Sequence, residues 1–106
     1  MQYCKIWYII VKWKISFTNK AVKQTKLLNE QVILALQVLV DNLRTYGPAP
    51  GKHWHNYSKL HGKRNEDKRH CHLIKGNPTY VCCWEVKKSD KQIEVYYVGT
   101  HEKAPY

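Results

Sequence analysis

No apolar run in this sequence is long enough to cross a bilayer. The longest are Ile6-Trp7-Tyr8-Ile9-Ile10-Val11 and Val32-Ile33-Leu34-Ala35-Leu36, far short of the ~20 residues a membrane helix needs. A secretory leader is not expected either. Lys5 precedes the first apolar run, but Lys12 and Lys14 follow it without a small-residue cleavage site. Acidic side chains are scarce: 8 Asp and Glu stand against 18 Lys and Arg, a formal charge of +10. That excess favours phosphate backbones or an acidic protein as partners and leaves the fold open. The four cysteines (Cys4, Cys71, Cys82, Cys83) lack the spacing of a disulfide framework, so reduced thiols in a cytoplasmic protein are expected. There is no internal repeat and no low-complexity segment.

What is present is a hydrophobic, aromatic chain of domain size. With 43% apolar and 12% aromatic residues it is no disordered basic tail, and 106 residues allow one domain with one modest core. Residues 1–17 read as extended, being rich in β-branched and aromatic side chains. Thr18 and Asn19 are N-cap residues for a short basic helix over Lys20 to Leu28. Asn29 caps a second helix, in which Val32, Ala35, Leu36, Leu39, Val40 and Leu43 repeat as a buried stripe. Gly47-Pro48 and Pro50-Gly51 end it. A polar loop with Trp54 and Tyr57 leads into the densest charge, Lys59 to Arg69. Three strands are predicted after it: Arg69 to Ile74, Thr79 to Lys87, and Gln92 to Val98. Turns fall at Gly76-Asn77-Pro78 and around Ser89-Asp90. The order β-α-α-β-β-β describes an α+β fold, two helices packed on a small, mainly antiparallel sheet of about four strands.

Five of the six histidines lie between His53 and His72; the sixth, His101, stands in the closing tail. Imidazole exchanges protons near neutral pH. Strand alternation puts His70 and His72 on one side and Cys71 and Leu73 on the other. If Leu73 marks the core, both histidines face outward into a basic groove supplied by Lys63, Arg64, Lys68, Arg69 and Lys75. That arrangement suits RNA cleavage. A base takes the ribose 2′ proton, an acid protonates the leaving 5′ oxygen, and cations steady the crowded phosphate. The plainer alternatives are solvated strand histidines, a solvated charged loop and aromatics that belong to the core. A metal site is weighed too, since His53-x-His55 and His70-x-His72 could each give two ligands. Cys82 and Cys83 point opposite ways on one strand and the spacing of zinc ribbons or fingers is missing, so neither metal nor cofactor is expected.

The tail adds a resemblance. Val95-Tyr96-Tyr97-Val98 runs into Gly99-Thr100-His101 and ends on an aromatic, Tyr106. This looks like the C-terminus of the RelE/ParE superfamily of bacterial toxins, most of all its RelE-like and YafQ-like mRNA interferases. Trp13-Lys14-Ile15-Ser16-Phe17-Thr18 with Asn19-Lys20-Ala21 is similar to that family's opening strand and helix. The likeness covers residues 13–106; residues 1–12 have no counterpart and read as an N-terminal extension or a mischosen start codon. It implies a toxin of a toxin–antitoxin system, cutting mRNA in the ribosomal A site without metal and held inactive by a cognate acidic antitoxin. On that resemblance His101 and Tyr106 match the tail, His72 the strand histidine and His53 a histidine of the preceding loop. The chain departs from YafQ-like members at Lys75-Gly76-Asn77-Pro78, where those carry an acidic residue. Two other functions remain open: a ParE-like toxin that binds DNA gyrase, and an RNA-binding relative without catalysis.

Overall fold

The computed structural model describes residues 13–60 and 62–106; the reading of residues 1–12 as an extension lies outside them. Strand β1 (Lys14–Phe17) is followed by helices α1 (Asn19–Thr25) and α2 (Glu30–Tyr46). Strands β2 (His55–Lys59), β3 (Lys68–Ile74), β4 (Tyr80–Lys87) and β5 (Gln92–Thr100) complete one sheet, ordered β1-β5-β4-β3-β2. Strands β2 to β5 pair antiparallel, and β1 lies parallel to β5. The α+β architecture expected from the sequence is therefore present, with one strand more. That extra strand, β2, lies where a polar loop is predicted. It is a sheet edge whose sequence, His-Asn-Tyr-Ser-Lys, has Tyr57 as its one strand-favouring residue, too little to announce a strand.

Both predicted caps form. The Thr18 hydroxyl accepts from the Ala21 amide and the Asn29 side chain from that of Val32, at 3.1 and 3.0 Å, satisfying amides that the first helical turn leaves without partners. Helix α1 is shorter than the predicted Lys20–Leu28. The amides of Lys26, Leu27 and Leu28 donate three residues back, to Lys23, Gln24 and Thr25, and this tighter winding ends the α-helix. Gly47 stops α2 with φ +91°. A side chain there would also meet the Trp13 indole, whose Nε1 lies 2.8 Å from the position of a Cβ.

The helices cover one face of the sheet. Val32, Leu36, Leu39 and Leu43 of α2 pack with Ala21 against Cys71, Leu73, Cys82, Trp84, Val86, Ile93, Val95 and Val98. Leu34 and Val38, by contrast, are more than half exposed. On the other, open face Val81, Cys83 and Tyr97 form a smaller buried cluster, with Tyr96 and Ala104 packed against it. Strand β4 alternates as predicted, Cys82, Trp84 and Val86 toward the helices and Val81 and Cys83 away. Strand β5 does not alternate throughout. Cys83 opposes Tyr97 while Trp84 opposes Val95, leaving Tyr96 as an extra residue. This bulge sets consecutive residues, Tyr96 and Tyr97, on the open face.

Candidate active site

The open face of β3 carries His70 and His72, as strand alternation predicts, and the tail brings His101 and Tyr106 to them. After β5 the chain turns through a single 3₁₀ turn, His101–Lys103. The His101 amide donates to the Thr79 carbonyl at 2.8 Å, tying the tail to the start of β4. Ala104 packs on the open-face cluster, which directs Tyr106 back along the sheet. The ring centroids of His72 and His101 are 5.3 Å apart, those of His70 and Tyr106 4.6 Å, and those of His101 and Tyr106 6.0 Å. His70 and His72 are separated by 6.1 Å. Four rings thus form one continuous cluster in which His101 is exposed and His72 half-buried.

The expectation that both strand histidines face open solvent needs correcting for His70. It is 8% exposed, because Tyr106 lies over it and its Nδ1 is hydrogen-bonded to the Ser58 hydroxyl at 3.2 Å. Burial lowers its pKa; a hydrogen bond to Ser58 works against that, and the nearby His101 adds to the lowering. The pKa of His72 is also lowered, first by burial and then by the positive charges of His101, His70, Lys75 and His55. Both imidazoles are thereby biased toward the neutral, proton-accepting form. Burial raises the pKa of Tyr106 above the usual phenol value, so its hydroxyl keeps its proton through the neutral range.

Strand β2 supplies two residues beside the rings: His55, weighed from the sequence only as a metal ligand, and Ser58, which the sequence did not single out. His55 pairs with His72 and Ser58 with His70, across a register shift. Asn56 takes φ +54°, a left-handed conformation that asparagine tolerates better than most residues. Because of that bulge His55 and Ser58 both fall on the face of their histidine partners. His53, the predicted loop residue, lies instead beside Gly51 and Trp54 and makes no ring contact with the cluster.

The predicted cations divide. Lys75 is close enough to act on His72. Lys68 lies 3.2 Å from Glu66 and 5.3 Å over the Tyr96 ring, on the wall of a cleft of about 520 Å³ that adjoins Tyr106. Lys20 at the start of α1 and Lys103 of the tail line the same cleft, and neither was singled out from the sequence. A smaller cleft of about 260 Å³ lies on the other side of the rings, between His72, His101 and the Gly76–Thr79 turn. Lys63 and Arg64 are exposed in the β2–β3 loop, with Arg64 toward the Lys87 end of β4. Arg69 is on the opposite face. Its guanidinium donates to both Asp67 oxygens and to the Tyr57 hydroxyl, all at 2.9 Å, and Tyr57 stacks on Trp84 in the helix-side core. The pairing with Asp67 occupies Arg69 within the fold. Among the described residues, no group of three or more His, Cys, Asp and Glu side chains is arranged to hold a metal ion.

The fold is similar to that of archaeal RelE, solved as a RelE–RelB complex from Pyrococcus horikoshii OT3. The TM-score is 0.71 with 20% identity, over 88% of this chain and 99% of that one. A metal-bound toxin from Helicobacter pylori is also similar, at TM-score 0.63 and 21% identity over 86% of this chain and 97% of that one. No protein-family model and no curated protein matches the sequence.

Proposed function

We propose that this chain is the toxin of a toxin–antitoxin system and acts as an endoribonuclease on mRNA at the ribosome. The observation that carries the reading is the ring cluster of His70, His72, His101 and Tyr106, set between two clefts with lysines beside it. The RelE-like fold agrees with it. In this reaction the ribose 2′ oxygen attacks the adjacent phosphorus as its proton passes to a base. The bond from phosphorus to the 5′ oxygen breaks while an acid delivers a proton to that oxygen. The products are a 2′,3′-cyclic phosphate and a 5′ hydroxyl.

His72, biased toward its neutral form, is suited to accept the 2′ proton. His101 stands across from it to deliver a proton to the leaving oxygen. Tyr106 lies against both His70 and His101 and donates a hydrogen bond to the phosphate or stacks on an adjoining base. Lys75 on one side, and Lys20, Lys68 and Lys103 on the other, bind phosphates flanking the cut. The net charge of +10 also suits neutralisation by an acidic antitoxin.

The test is cleavage of a ribosome-bound mRNA by the purified protein, mapped by primer extension. Wild-type protein cuts. His72→Ala and His101→Ala each cut about 10²–10³-fold more slowly while retaining native melting. Undiminished cleavage in both variants overturns the assignment of these residues. Inhibition of gyrase supercoiling without any RNA product would move the chain to the ParE-like reading, and salt-sensitive RNA binding without cleavage to the inactive one.

A further inference from the structure

Tyr97 lies on β5 four residues before His101, and three contacts converge on it, two of them through its hydroxyl. Its ring is buried with Val81 and Cys83. Its hydroxyl donates to the Thr100 carbonyl at 2.7 Å, the last peptide before the turn that carries His101. The same hydroxyl fills the space over Gly99, where a Cβ would lie 2.7 Å from the oxygen and 3.0 Å from Cζ. Gly99 is paired within the strand, opposite Val81. It is the tyrosine above it, and not a turn, that makes a side chain unwelcome there.

The turn at His101 is therefore held from two sides. Thr79 fixes its amide edge and Tyr97 fixes the preceding carbonyl. Both bonds fall on the one planar peptide between Thr100 and His101, so removing the Tyr97 bond leaves it held only on its amide side, by Thr79, and able to pivot there. A ring on the first residue of a 3₁₀ turn moves with the peptide that precedes it.

We propose that Tyr97 is a positioning residue that aims His101, its hydroxyl latching the last peptide of β5 so that the His101 ring is held against His72. The role in catalysis rests on the nuclease reading above; the aiming itself does not. Tyr97→Phe keeps the buried ring and removes only the latch. Gly99→Ala keeps the hydroxyl and forces it aside, so the two variants break the same contact by different routes.

The experiment compares full-length wild-type, Tyr97→Phe and Gly99→Ala proteins by NMR of the histidine rings, alongside cleavage kinetics. His72 is faced by His101, His70, Lys75 and His55, and only His101 hangs on the latch. In both variants the cross-peak between the His72 and His101 rings is lost, and the His72 titration midpoint rises as the His101 charge recedes. The amide spectrum stays native. Cleavage falls about ten- to a hundredfold in kcat with KM unchanged, the loss expected when a reacting group is displaced by about 1 Å. A merely structural tyrosine would lower the melting temperature and leave the ring contact and the His72 midpoint in place, and that result overturns the proposal. If either variant fails to fold, the other decides by the same ring contact. A wild-type protein that cuts no RNA would remove the nuclease reading, while the ring measurements would still test the aim.

Discussion

Replacing Asp67 with alanine should destabilise the fold by about 3 kcal/mol, although the residue lies at the margin of a charged loop. The Arg69 side chain is 12% exposed and that of Asp67 15%, so water does little to screen them. Both carboxylate oxygens receive a guanidinium hydrogen at 2.9 Å. Lys59 and Lys88 approach the same carboxylate at 3.9 Å, but they are exposed and contribute little. Removing one partner of a buried pair costs about 3–5 kcal/mol because the other charge is left uncompensated. The Tyr57 hydroxyl still accepts from Arg69 and the site is not wholly dry, which places the expected loss at the lower end. For a domain of this size that is a fall of about 12–20 °C in Tm. Urea unfolding of Asp67→Ala, Arg69→Ala and the double variant gives the coupling directly: the double variant should cost much less than the sum of the singles. The hydrogen bond from Arg69, opposed by burial, holds the Asp67 carboxyl below its usual range. Its stabilisation is thus present above about pH 4, the unfolded value, and is lost as pH falls toward the lower folded one. Unchanged stability in Asp67→Ala, or an Arg69→Ala protein that is fully stable yet defective in RNA binding, would refute the reasoning and return Arg69 to the phosphate-binding set.

Two further outcomes follow from the site. His70 and His72 have folded pKa values below their unfolded ones, so the unfolded chain binds more protons as pH falls below about 6.5, and stability declines there; thermal melts from pH 7.5 to 5 should show this decline, and His70→Gln should flatten it, whereas a wild-type curve flat across that range would contradict the burial of His70. Lys20→Ala and Lys103→Ala should each weaken binding to a single-stranded RNA and reduce the slope of log K against log salt by about 0.7, the single-strand value per phosphate contact; an unchanged slope in both would remove the larger cleft from the RNA path.

Much of the fold was legible because its signals are local. Thr18 and Asn29 act on amides three residues ahead, and the stripe from Val32 to Leu43 repeats within one helix. The alternation of His70 and His72 against Cys71 and Leu73 needs only the strand's own pleat. What escaped depends on partners distant in sequence or on broken alternation. Strand β2 is stabilised by pairing with β3 and not by its own composition. The bulges at Asn56 and Tyr96 place His55, Ser58 and Tyr96 on faces that strict alternation would not assign together. Lys20 and Lys103 share a cleft because the tail passes near the start of α1, a proximity set by the sheet order. Arg69 looked available because its counter-ion, two residues earlier, was read as part of a solvated loop.

The pairing of β1 with β5 joins segments far apart in the chain, with Gln92 bonded to Ser16 across 76 positions. Closing so wide a loop is entropically costly and gives no reward until both ends arrive, so this seam belongs to the late steps of folding. His101 does not depend on that seam: β3, β4 and β5 pair as sequence neighbours, and the His101 amide bonds Thr79 at the start of β4. The ring cluster is therefore built from the β3–β5 meander and the tail, and the late arrival of β1 completes only the sheet edge beside β5.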